Sequence, residues 1–180
     1  MKNMNLPNKL TILRILAVPF LILCFYLPEG WGMWVAVILF VAAAITDTVD
    51  GRYARAHGLV TDFGKFMDPI ADKLLVNSVL IMLTAQGKVH PVVTILFIFR
   101  EFAISGLRLV AAGKGVVLAA GSLGKIKTTL QDIALPFLMV GHVWKVFRIV
   151  GLILLYASLV MSLWSGWDYI YQNRKLIAQE

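Results

Sequence analysis

Four carboxylates carry the first chemical suggestion in this sequence. Between two strongly apolar stretches it reads Asp47-Thr48-Val49-Asp50-Gly51-Arg52-Tyr53-Ala54-Arg55, and Gly64, Asp68 and Asp72 follow at four-residue steps. On a helix of about 3.6 residues per turn, Asp47, Asp50, Gly51 and Ala54 share one face, while Gly64, Asp68 and Asp72 form a second stripe. Four anions converging at a membrane boundary repel one another unless cations neutralise them. Ligands made of oxygen alone suit hard divalent ions such as Mg2+ or Mn2+, and a pair of such ions makes a phosphoryl-transfer site. Gly51, Ala54 and Gly64 remove bulk where a ligand must approach the backbone. Pairing with Lys or Arg at a helix end would account for any one of these Asp residues. It does not account for all of them on two facing stripes with small residues between.

Other polar groups stand inside apolar sequence. Asn8, Thr11 and Arg14 recur at about one-turn intervals; by spacing alone Asn8 could be a helix N-cap and Arg14 a snorkelling cation. Arg100 and Glu101 sit where a charge is costly, which favours an intramembrane ion pair over a ligand contact. Arg108 has no evident partner on its own helix, and its guanidinium suits a phosphate. Lys125 and Lys127 would point about 200° apart on a helix, so at most one of them faces a common site. Asp132 suits a pairing with either lysine and is given no catalytic role. Gly124-Lys125 lacks the upstream glycine and the following Ser or Thr of a P-loop. His57, His90 and His142 are scattered over separate loops, which argues against a histidine metal site.

The pattern D-x2-D-G-x2-A-R-x8-G-x3-D-x3-D resembles the signature of the CDP-alcohol phosphatidyltransferase family, and Asp47, Asp50, Gly51, Ala54, Arg55, Gly64, Asp68 and Asp72 match each fixed position. The segment Pro7-Asn8-Lys9-Leu10-Thr11-Ile12-Leu13-Arg14 is similar to one that often opens members of that family. Arg100-Glu101-Phe102, Ser105-Gly106-Leu107-Arg108, Gly124-Lys125 and Lys127-Thr128 with Gln131 resemble its phosphatidylglycerophosphate synthase branch. The resemblance implies two divalent ions, Mg2+ or Mn2+, on Asp47, Asp50, Asp68 and Asp72, with Asp72 also the general base. It implies CDP-diacylglycerol held by Asn8, Thr11, Arg14, Asp50, Gly51, Ala54, Arg55 and Gly64. It further implies glycerol 3-phosphate as acceptor, its phosphate against Arg108 and one of Lys125 and Lys127.

The elements that must position these groups are membrane helices. A chain that is 59% hydrophobic with mean hydropathy +0.81 has more long apolar runs than one water-soluble core can absorb. A net charge of +7, dispersed between those runs, points to topology and anionic lipid rather than nucleic acid. The single cysteine, Cys24, excludes an intramolecular disulfide. The expected architecture is one all-α domain over residues 1–180, an integral membrane bundle of six transmembrane helices with a polar chamber facing the cytoplasm. The spans are expected near 10–27, 31 through the Asp47 motif, 67–86, 90–112, 125–144 and 147–167. Each is long enough to cross a hydrocarbon core of about 30 Å. Residues 1–9 form an interfacial segment, 56–66 a loop, and 168–180 a cytoplasmic tail. Trp31 and Trp34 suit an aromatic belt. An even span count puts both termini on one side. Lys2, Lys9, Arg14, Arg52, Arg55, Lys65, Lys73, Arg108, Lys114, Lys125, Lys127, Arg174 and Lys175 gather there, against Lys88, Lys145 and Arg148 at the other. The positive-inside rule then places termini and carboxylates at the cytoplasmic face of the cell membrane.

The expected activity is transfer of a phosphatidyl group from CDP-diacylglycerol to glycerol 3-phosphate within a membrane, in phospholipid biosynthesis. An acceptor such as inositol phosphate, serine or phosphatidylglycerol would leave the Asp motif unchanged and alter only the basic pocket. A divalent-cation carrier is the rival of a different class, but it needs a polar path that the uncharged outer halves of the second, third and sixth spans do not offer. A homodimer burying a polar seam is compatible with a chain of this size.

Overall fold

The computed structural model describes residues 5–28, 30–58, 61–116 and 122–174. They form six helices and no strand: α1 (Leu6–Cys24), α2 (Trp31–Ala56), α3 (Asp62–Ala85), α4 (Pro91–Gly113), α5 (Ser122–Met139) and α6 (Lys145–Gln172). Local chemistry sets several of the starts. Pro7 and Pro91 occupy the first turns of α1 and α4, where a missing N–H costs nothing. Thr61 caps α3 by accepting from the Gly64 N–H at 3.0 Å, and the His90 Nδ1 accepts from the Val92 N–H at 3.3 Å.

Apolar side chains from every helix meet in one core. Leu21 and Phe25 come from the α1 end, Met33 and Phe40 from α2, Leu75, Val79 and Leu83 from α3, Phe97 from α4, Leu135 and Leu138 from α5, and Leu155 from α6. α1 packs on α2 and α3, and α6 on α5 and α4. Gly151 lets α6 approach α5 closely, since a Cβ there would stand 2.8 Å from Leu138. The outer surface is apolar as well: Phe20, Ile38, Ile95, Phe99, Phe102, Ile153 and Val160 all face outward. A continuous apolar exterior around an apolar core is the pattern of a helical membrane protein, in which backbone polar groups are satisfied within each helix.

Among the described residues, three helices are long and apolar enough to cross a membrane by length and composition, over Pro7–Cys24, Trp31–Arg52 and Lys145–Gln172. α3, α4 and α5 also carry charges of the site, among them Asp68 and Asp72, Arg100 and Glu101, and Lys127 and Asp132. Several boundaries differ from those expected. The loop expected at 56–66 is shorter, because Thr61 caps a helix that already includes Gly64. α1 begins at Leu6, within the expected interfacial segment, and its N-cap is Asn5 rather than Asn8. α5 stops at Met139, and α6 continues through Asp168 to Gln172, where a tail was expected. The expected tail residues 175–180, including Lys175, and the expected interfacial residues 1–4 lie outside the described residues.

Candidate active site

A polar chamber of about 840 Å³ opens between the helices. α2 and α3 supply Asp47, Asp68 and Asp72; α4 supplies Arg100, Glu101, Ser105 and Arg108; α5 supplies Lys125, Thr128, Thr129 and Asp132; α6 supplies Ser165, Asp168 and Tyr169. α2 and α3 thus bring three carboxylates together with Lys73, and α4, α5 and α6 bring Arg100, Arg108 and Lys125 beside Glu101, Asp132 and Asp168.

The carboxylates are held from behind by α1. Arg14, only 3% exposed, donates from Nη1 to Asp47 at 2.6 Å and from Nη2 to Asp50 at 3.1 Å. It is a fork between two acids rather than a snorkelling side chain, and a buried guanidinium in this geometry orients both carboxylates. Thr11 donates to Asp68 at 2.5 Å. Asn8 is buried and accepts from the Thr61 hydroxyl at 2.8 Å. Gly64 fills the gap: a Cβ there would stand 3.1 Å from Asn8 Oδ1 and 3.3 Å from Thr61 Oγ1. The three polar residues of α1 thus form one layer that locks α2 and α3 together. Thr61, which ties that layer to the start of α3, was not singled out from the sequence, although a Thr three residues before the motif glycine is a capping signal.

Asp47, Asp68 and Asp72 share the chamber, and Asp50 lies behind them on Arg14. Among the described residues no three acidic, histidine or cysteine side chains already stand in a metal-binding group. The donor set nonetheless has the character of a hard-cation site. It is oxygen only, and the structure uses a cation, Arg14, to hold two of its four members. Gly51 and Ala54 lie on the α2 stripe with Asp47 and Asp50, and Ala54 is buried. The Arg55 side chain lies outside the described residues.

The cations depart from expectation in detail. Lys125 lines the chamber, whereas Lys127 is buried and turned onto Glu101. The expected divergence of the two lysines thus resolves in favour of Lys125 at the open chamber. Arg100 pairs with Glu101 at 3.2 Å, as expected, and also donates to Ser162 O at 3.2 Å and Ser165 Oγ at 3.0 Å on α6. Arg108 is exposed to the chamber and has a partner on another helix: its Nε donates to the Tyr169 hydroxyl at 3.1 Å. Lys73 and Asp132, given no part in the site from sequence, also line the chamber. Lys73 donates to Ser105, and Asp132 has a buried Oδ1 without a hydrogen-bond partner.

A family model described as CDP-alcohol phosphatidyltransferase matches residues 4–164. The chain belongs to the CDP-alcohol phosphatidyltransferase family. Curated relatives extend the match over nearly all of it. A Bacillus subtilis protein is 42% identical across 94% of this chain and 95% of its own length. A Rickettsia felis protein is 41% identical across 95% and 96%, and one from Shigella flexneri is 38% identical across 94% and 95%. All three are named CDP-diacylglycerol–glycerol-3-phosphate 3-phosphatidyltransferase. The family match spans all four motif carboxylates and the residues lining the chamber up to Trp164.

Proposed function

We propose that this chain transfers the phosphatidyl group of CDP-diacylglycerol to sn-glycerol 3-phosphate, giving phosphatidylglycerophosphate and CMP. The observation that carries the reading is one chamber that holds the carboxylates Asp47, Asp68 and Asp72 of α2 and α3 together with the cations Arg100, Arg108 and Lys125 of α4 and α5. A diphosphate donor and a phosphorylated acceptor must meet in one place, and each brings anionic charge needing its own compensation. The names of relatives at 38–42% identity over nearly the whole chain support the same acceptor.

Asp47, Asp50, Asp68 and Asp72 would hold two divalent cations, Mg2+ or Mn2+, whose charge would neutralise the pyrophosphate. Arg14 and Thr11 fix three of those carboxylates in place. Asn8, Gly51, Ala54, Arg55 and Gly64 form the nucleotide side in this reading, with Asn8 and Gly64 packed against each other behind it. Asp72 accepts the proton of the attacking glycerol hydroxyl. That oxygen bonds to the phosphorus bearing the diacylglycerol, the bond from this phosphorus to the bridging oxygen breaks, and CMP leaves with the bond's electron pair. Arg108 and Lys125 hold the acceptor's phosphate. Lys127, buried against Glu101, does not touch substrate in this reading.

All six helices cross the membrane in this reading, with the chamber and both termini cytoplasmic. The predominance of basic residues at the chamber end of the helices supports that orientation. The deciding experiment measures CMP release from CDP-diacylglycerol by purified protein with glycerol 3-phosphate, inositol phosphate, serine or phosphatidylglycerol. Release with glycerol 3-phosphate alone is expected. Faster release with any other acceptor would replace the reading.

A further inference from the structure

Glu101 on α4 is met by more positive charge than it can neutralise. Lys127, Arg100 and Lys73 converge on Glu101. Lys127 and Arg100 both bond its Oε1, and Arg100 is further fixed by Ser162 and Ser165 of α6. Lys73 has the weakest hold. Its ammonium lies 3.8 Å from Glu101 Oε2, beyond hydrogen-bond range, and its direct partner is the neutral Ser105 hydroxyl. Its side chain keeps 33% exposure and lines the chamber. Ser105 and Arg108 are three residues apart on α4, so they occupy neighbouring positions of one face. The partner of Arg108 there, Tyr169, is likewise neutral. Two cations thus line the chamber, each resting on a hydroxyl.

We propose that Lys73 is a further cation of the acceptor-phosphate subsite, with Arg108 and Lys125. Its ammonium exchanges the Ser105 hydroxyl for a phosphate oxygen when the acceptor binds. The assignment rests on the reading of the acceptor as a phosphorylated alcohol. The exchange is favourable because an ammonium gains more from a phosphate dianion than from a neutral hydroxyl. It also gives the acceptor a register. Lys73 follows Asp72 directly in α3, and both line the chamber, so one turn of helix presents the phosphate contact and the proton acceptor.

The test compares Lys73→Met, Lys73→Arg and Ser105→Ala with the parent in steady-state kinetics, varying each substrate in turn. Lys73→Met should raise the KM for glycerol 3-phosphate about ten- to a hundredfold, leave the KM for CDP-diacylglycerol unchanged, and narrow the preference for glycerol 3-phosphate over glycerol. Lys73→Arg should recover most of that loss. Ser105→Ala removes the tie to α4 but keeps the cation, so it should not raise the KM. A Lys73→Met enzyme with reduced kcat and an unchanged KM for glycerol 3-phosphate would overturn the proposal. So would a Ser105→Ala enzyme that reproduces the Lys73→Met loss, because Lys73 would then be only a link between α3 and α4. If Lys73→Met does not fold, Lys73→Gln takes its place in the same comparisons. A parent enzyme that ignores glycerol 3-phosphate would instead remove the functional reading itself.

Discussion

Replacing Arg14 by alanine tests the layer behind the carboxylates. The guanidinium bridges two acids of unequal exposure, and the two must be weighed separately. The Asp50 side chain is 9% exposed and Arg14 itself 2%, so removing Arg14 strands a buried carboxylate. Breaking a buried pair in this way costs about 3–5 kcal/mol. The Asp47 side chain is 38% exposed, and solvent screening reduces its share to about 0–1 kcal/mol. The loss should therefore be about 3–5 kcal/mol, set almost wholly by Asp50. For a protein of this size that corresponds to a fall in Tm of roughly 6–20 °C. Arg14→Lys keeps the charge but cannot fork between two acceptors, so it should fall between the parent and Arg14→Ala. Thermal unfolding of the purified protein in detergent, with EDTA present throughout, reads both variants. An Arg14→Ala protein melting within about 3 °C of the parent would refute the argument. Asp50 would then be stabilised by something other than this bridge.

Three further outcomes follow from the same geometry. Asp72→Asn should abolish turnover while retaining much of the binding of CDP-diacylglycerol, measured by equilibrium binding; a loss of binding as complete as in Asp50→Asn would make Asp72 chiefly a ligand. Asp132→Asn should raise the Tm by a few degrees. It removes a carboxylate whose Oδ1 is buried without a partner and which feels the like charges of Asp72 and Asp47, an arrangement costing about 1–3 kcal/mol; a lowered Tm would show that Lys127 already compensates it. In a Cys24→Ser background, single cysteines at Gly58 and Gly87 should label from opposite faces of sealed vesicles, and labelling from the same face would break the six-span topology.

The sequence made the acidic centre legible because its chemistry is local. From Asp47 to Asp72 the carboxylates, glycines and alanine lie close together in the chain, and helical spacing alone assigns them to two stripes. The apolar runs were legible for the same reason, and helix termini moved by only a few residues. Contacts between distant helices were not. Nothing local to Arg14 says that Asp47 and Asp50 lie against it, and nothing near Arg108 points to Tyr169, whose contact closes across 61 residues. Lys73 was hidden differently, because it stands beside an Asp with an evident role and its own partners come from another helix. Gly64 was placed in a loop because the capping geometry of Thr61 depends on Asn8 reaching over from α1.

The most direct test of the central claim follows both products at once. Purified protein is given CDP-diacylglycerol and glycerol 3-phosphate labelled in its phosphate, and the CMP released is counted against the label entering lipid. Phosphatidyl transfer predicts one labelled lipid for each CMP, with both lost in Asp72→Asn. CMP released without label entering lipid would contradict it, since water rather than glycerol 3-phosphate would then be the acceptor.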